Sequence, residues 1–163
     1  MRQRRRHVAV GGGVPTVTFV AQRAVLLPGT GSDEVFVTEV FLRPLAAVGI
    51  RLCAPREGHA DALDVAAADG PVLAGGISAG AHVAARWAAA NPERCAGLLL
   101  AMPGWTGEPG DAPAALAARL TADTVRRDGL EPALRDATAG VPRWLADELD
   151  RAWRRHGSRL VPT

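Results

Sequence analysis

A chain of 163 residues, 48% of them apolar, is long enough for one domain with a sizeable core. Its net charge of +2 gives little field to gather nucleic acid or anionic lipid, which argues against partners of either kind. All 19 cations are arginine, a bias that reads as genomic composition; apart from Arg2 and the Arg4-Arg5-Arg6 run, a solvated tail, they are scattered. Cys53 and Cys95 lie far apart, so buried free thiols in a reducing compartment are expected rather than a disulfide or a metal site. No apolar run reaches membrane-spanning length, and Gly11-Gly12-Gly13 with Pro15 interrupt any signal-like segment. The expected location is the cytoplasm.

In chain order, residues 8–10 and 17–21 read as short strands around the turn "GGGVP". Residues 24–27 form an apolar strand that runs into the Gly-rich loop "PGTGSDE". A helix is predicted over 35–48, with Phe36, Val40, Phe41 and Leu45 on one side. Residues 50–55 give a short strand, and "EGHADALDVAAADG" gives a loop and a short helix ending near Gly70. "PVLAGGIS" is the next strand, 79–90 a strong helix stopped by Asn91-Pro92, and 96–105 another apolar strand. Strand and helix thus alternate from 24 to 105, and the strands are continuously apolar. That pattern predicts an α/β fold with a mostly parallel sheet between helical layers. The last third changes character. A helix over 112–128, with Asp111 as N-cap, stops at Gly129; a second, over 142–156, carries Leu145, Leu149, Ala152 and Trp153 on one face. The division expected is a core over 1–105 and a helical cap over 106–163.

The chemistry concentrates in "VLAGGISAGAH", residues 72–82. Gly76-x-Ser78-x-Gly80 follows a strand and opens a helix, which is the context that makes this short pattern specific. A serine at the tip of so sharp a turn needs a strained backbone, and the flanking glycines remove side chains that would clash. Its hydroxyl then stands above a helix N-terminus, where free N–H groups and the helix dipole favour developing negative charge. The plain alternative is a buried serine in an ordinary strand-to-helix turn. Two phosphate-binding readings fail: Gly80 is followed by Ala81-His82 rather than Lys-Ser/Thr, and "GTGSDE" has Glu34 where a dinucleotide fingerprint needs glycine. No cofactor and no metal are expected.

With these residues the chain resembles the α/β-hydrolase family, well over about 24–105 and loosely at the flanks. "VLLPGTGSDE" resembles the strand and oxyanion loop of that family, "APREGHADA" its next loop, and "GISAGAHVAARWA" its nucleophile elbow and following helix. The resemblance implies a three-layer fold, Ser78 as nucleophile, and the backbone N–H groups of Thr30 and Ala79 as the oxyanion site. It implies hydrolysis of an acyl ester, a thioester or a similar bond in a small-molecule substrate. The helices after Trp105 sit where the family inserts its cap, so Trp105, Trp144 and Trp153 either line an acyl pocket or form cap core. The Gly11-Gly12-Gly13 triplet lies one strand too early to be the oxyanion loop.

The family's acid and histidine follow the nucleophile on strands that this sequence does not continue into, so the chain reads as C-terminally truncated, with impaired activity expected. His156 reads as a solvated helix end, and His82 projects sideways or beneath the elbow. His7 lies at the N-terminus, outside the motif. His59 lies on the same sheet edge as Ser78 and is the candidate replacement base, with Glu57, Asp61 or Asp33 as orienter, although that loop's histidine is usually structural in the family. The alternative function is a non-catalytic binding or interaction module. The strand near Leu98, Leu99 and Leu100 is expected to leave a bare apolar edge, prone to homodimer formation or aggregation.

Overall fold

The apolar runs fold as strands. In the computed structural model, which describes residues 21–157, these are β1 (Arg23–Leu27), β2 (Arg51–Cys53), β3 (Val72–Ile77) and β4 (Cys95–Ala101). They lie side by side in the order β2-β1-β3-β4, and every neighbouring pair is parallel. Parallel neighbours need crossover connections. Three helices supply them: α1 (Glu34–Ala47), α2 (Asp61–Ala66) and α3 (Ala79–Ala90). The predicted α/β class and parallel sheet are thus observed. The strands expected at 8–10 and 17–21 fall outside the described residues, except for Ala21, which is buried.

Both sheet faces are covered. Ala24, Leu26, Leu73 and Ile77 pack with Val37 and Leu45 of α1 on one face. Val25, Leu27 and Ala74 pack with Leu63 of α2 and Ala84, Trp87 and Ala88 of α3 on the other. All six residues of β3 are buried, as befits a central parallel strand. On α1 the buried stripe runs through Val37 and Leu45, with Phe36 and Phe41 packed against it, while Val40 faces solvent. The helical period is the one predicted, rotated to bring Val37 inward in place of Val40.

The strand order reverses between β1 and β3. The chain leaves β1 by α1 on one face and leaves β3 by α3 on the other, so the two loops diverge at the carboxyl edge. A crevice opens at such a switch point, and it is where open α/β sheets bind ligands.

β4 departs from the expected continuous burial. Its residues alternate between partly buried and exposed, with Leu98 and Leu100 exposed at 47% and 40%. Among the described residues it is an edge strand with a half-covered face. It ends at Ala101, earlier than predicted, because Met102 turns the chain with a positive φ of 45°. Cys53 is exposed and Cys95 half-buried, so neither free thiol is a buried core residue as expected.

The last third holds three helices: α4 (Pro113–Asp128), α5 (Leu130–Thr138) and α6 (Arg143–His156). α5 is an addition to the predicted elements. Gly129, at φ 89°, ends α4 and begins α5, and Pro132 falls in the first turn, where its missing N–H costs nothing. Asp111 does not cap α4; Ala112 holds that position and Pro113 opens the helix. Ala133, Leu134, Ala152 and Trp153 form a separate small core for these helices. No helix of the described residues is long and apolar enough to cross a membrane.

α2 has six residues and only Leu63 fully inside. A helix that short does not persist in water by itself, so its packing holds it. Leu63→Ala is expected to cost roughly 2–5 kcal/mol. Chemical denaturation would show this as a lower midpoint with an unchanged slope.

Candidate active site

β3 delivers Ser78 at the carboxyl edge of the sheet, immediately before α3. Its backbone is strained, with φ 52° and ψ −116°, a combination that residues with a Cβ rarely adopt. Neighbours on both sides hold it there. The Ser78 N–H donates to the Ala101 carbonyl at 3.0 Å, tying the turn to the end of β4. The Ser78 carbonyl accepts from the N–H groups of Ala81 and His82 at 3.1 and 3.4 Å, starting α3.

The two glycines of the motif permit close approach of backbone to backbone. A Cβ on Gly76 would stand 2.6 Å from the Leu27 carbonyl oxygen and 2.6 Å from the carbonyl carbon of Gly80. One on Gly80 would stand 2.5 Å from the Pro28 oxygen. The first turn of α3 is therefore pressed against the end of β1, at the switch point. A Cβ on Gly29 would lie 3.2 Å from Ser78 Cβ, so the loop after β1 borders the serine directly.

That loop turns at once. Ser32 N–H donates to the Gly29 carbonyl at 3.1 Å, which leaves Thr30 exposed at the tip. Ala79 is the first residue of α3. Among the described residues, neither the Thr30 nor the Ala79 N–H donates to a backbone carbonyl. Both predicted oxyanion donors thus belong to segments flanking Ser78, and both are unspent.

The histidines fall differently. His59 is largely exposed, and its Nδ1 lies 3.7 Å from a Glu57 carboxylate oxygen, too far for a hydrogen bond. No hydrogen bond joins it to Ser78 among the described residues. Asp61 is exposed in the first turn of α2. Asp33 is not an orienter for His59. It is 1% exposed, caps α1 by accepting from the N–H groups of Val35 and Phe36 at 3.0 and 3.2 Å, and is bound by Arg151 at 3.0 Å. His82 stacks on Trp105 with ring centroids 4.1 Å apart, and its Nε2 is buried without a hydrogen-bond partner.

His156 is no solvated helix end. Its Nε2 lies 2.8 Å from the Ser32 carbonyl oxygen, so the end of α6 docks on the loop after β1. Sequence reasoning missed this contact, and the cluster "RAWRRH" opposite "GSDE" is the complementary charge pattern that signals it. The three tryptophans do not share one wall: Trp105 stacks on His82, Trp144 on Phe36 at 6.5 Å, and Trp153 is buried in the core of the last three helices. A surface pocket of about 250 Å³ lies between α4 and α5, lined by Leu120, Thr124 and Asp136 among others, and no elbow residue contributes to it. Among the described residues, no group of three or more His, Cys, Asp or Glu side chains is arranged to hold a metal ion.

Comparison with protein-family models, with curated proteins and with solved structures returned no match.

Burial pushes the Asp33 carboxyl up, but the Arg151 guanidinium and the α1 N–H groups outweigh it and hold the group below its ordinary 3.8. A depressed folded pKa contributes stability that is present above 3.8 and lost as pH falls through the folded value. Asp33→Asn should therefore lower stability most at neutral pH, and the deficit relative to wild type should shrink in acid. Urea titrations across that range would reveal it; a deficit that stays constant with pH would mean Asp33 contributes only shape.

Proposed function

We propose that this chain is a serine hydrolase of the α/β-hydrolase type, acting on an acyl ester or thioester of a small molecule. The observation that carries the reading is the strained Ser78, pinned between β1 and β4 at the switch point with the loop of Thr30 beside it. The parallel order β2-β1-β3-β4, with α1 and α3 on opposite faces, supports the hydrolase layering. The last three helices, with their own small core, support the reading of residues 106–163 as a cap.

In this reaction Ser78 Oγ attacks the acyl carbon and its proton passes to a base. The carbonyl oxygen becomes an oxyanion, held by the N–H groups of Thr30 and Ala79. Collapse breaks the bond to the alkoxide or thiolate, which takes the proton, and water then hydrolyses the acyl-serine. Losing one such backbone donor costs roughly 3 kcal/mol of barrier. His59, beside Glu57, is the base that this edge offers.

A fluorophosphonate probe, read by intact mass, tests the proposal. Wild type is expected to gain one adduct and Ser78→Ala none. No adduct on a folded wild-type sample favours the second reading, a non-catalytic binding module, for which it speaks that the Ser78 hydroxyl has no hydrogen-bond partner among the described residues. His59→Ala is expected to slow labelling by about 100-fold if His59 is the base.

We also propose that β4 pairs edge to edge with a second copy, because Leu98 and Leu100 are exposed on a strand that carries no charge or proline to blunt it. Sedimentation should show a concentration-dependent dimer that Leu98→Lys dissociates. A monomer at all concentrations would defeat this.

A further inference from the structure

We propose that α6 is a releasable clamp on the loop of residues 29–34, and that its docking regulates the oxyanion donor at Thr30. This rests on the hydrolase reading of Ser78. Successive residues of the loop are each held from one stretch of α6. The Trp153 ring lies against Gly31, whose positive φ of 73° and missing Cβ make room for it. His156 Nε2 meets the Ser32 carbonyl at 2.8 Å. Arg151 and Arg155 reach Asp33 at 3.0 and 3.5 Å, and Arg155 reaches Glu34 at 2.7 Å. Thr30 sits between Gly29, which borders Ser78, and Gly31, which lies under Trp153. The direction of its N–H is thus fixed from both sides only while α6 is docked.

The seam is built to open. The buried apolar clusters stop on either side of it: two belong to the sheet with α1, α2 and α3, and the third to the last three helices alone. Ion pairs, with the Trp144–Phe36 stack and the Trp153 ring against Gly31, hold the seam in place of a continuous buried apolar core. Among the described residues, five buried side-chain polar atoms lack a hydrogen-bond partner, and four lie on the residues of this seam: Ser32 Oγ, Glu34 Oε2, Glu148 Oε1 and Trp153 Nε1. Docking strips these of water and returns nothing, so hydration on release offsets much of the gain from the ion pairs. Arg151 also bridges two buried carboxylates, Asp33 and Glu148. Without it, Glu148 loses its ion-pair partner and Asp33 keeps only the ion pair with Arg155 at 3.5 Å, and separation of α6 from the loop relieves the two buried acids.

Hydrogen exchange on the full chain tests the clamp directly. In Arg151→Met, amides of residues 29–34 are expected to exchange roughly tenfold faster while those of β3 and α3 keep their wild-type rates. Unchanged exchange at 29–34 in a folded variant would overturn the clamp. Arg155→Met, which leaves the Arg151 bridge intact, is expected to give a smaller rise at the same amides; it decides the matter if Arg151→Met does not fold. Coupling to the site is read from the fluorophosphonate labelling rate of Ser78, expected to fall about tenfold in Arg151→Met and to recover in part in Arg151→Lys. Faster exchange with an unchanged labelling rate would overturn the regulatory role. A wild type that is never labelled removes the hydrolase reading, and with it the regulation of an oxyanion donor, while the exchange data still report whether α6 holds the loop.

Discussion

The close approach of α3 to the end of β1 is the constraint from which the rest of the site follows. Gly76 and Gly80 let the carbonyls of Leu27 and Pro28 come against the first turn of α3. Because β1 and β3 are adjacent and parallel, this contact lies at the carboxyl edge, where α1 and α3 depart to opposite faces. A side chain at either glycine would push the helix off the strand. The hydrogen bond from Ser78 to Ala101 holds the turn from the other side. A strained residue persists only when its surroundings over-determine it, and here both neighbouring strands do so.

The same edge is organised electrostatically around one buried carboxylate. Asp33 caps α1 and also receives Arg151 from α6, so one side chain fixes the start of a core helix and the dock of a distant one. Arg151 serves Glu148 as well, and the two acids respond oppositely. Glu148 is raised because burial dominates its arginine, whereas Asp33 is lowered because it adds two backbone N–H groups to the same arginine. Asp33 accepts more hydrogen bonds in its charged form, and its negative charge adds to the burial that pushes Glu148 up. Asp33 is thus the member that holds the seam, and Glu148 the member that weakens it.

What could be read from the sequence was local. The glycines around Ser78, the apolar run of β3 and the alanine-rich helix after it specify the elbow by steric and periodic rules that act within a dozen residues. The parallel sheet was legible for the same reason, since buried strands carry continuous apolar runs. Contacts between distant segments were not. Nothing near Asp33 announces Arg151, which lies 118 positions away, and His156 looked solvated because its neighbours are charged, though Arg155 and His156 itself find partners on the opposite loop. α5 escaped because Pro132 and two bounding glycines mimic a loop, while its helicity depends on Ala133 and Leu134 packing into a core that only the folded helices create. Val40 and Val37 lie on adjoining sides of one helix, and periodicity alone does not choose which of them meets the sheet.

On the proposed hydrolase reading, the two halves of acyl-transfer catalysis would be unequally provided for at this edge. Positioning and anion stabilisation need backbone: a serine held at an unusual φ, a free N–H at the start of α3, and a second at the tip of the loop after β1. The packing around Ser78 and the first turn of α3 is tight, and on the proposed hydrolase reading these groups would serve that half. Proton removal needs an imidazole in contact with Oγ. His82 faces Trp105, His156 faces Ser32, and His59 faces Glu57 at the surface. A helix N-terminus stabilises the oxyanion once formed but takes no proton, so it does not substitute for a base. General-base assistance is worth about 10²- to 10⁴-fold, and an oxyanion donor contributes on a similar scale. Neither half alone makes a fast enzyme. The strain at Ser78 is therefore explained by catalysis only if His59 or another imidazole closes on it. Among the described residues, His59 is the histidine left to do so: its loop abuts Pro28 through Gly58, and its ring is not committed to a packed partner.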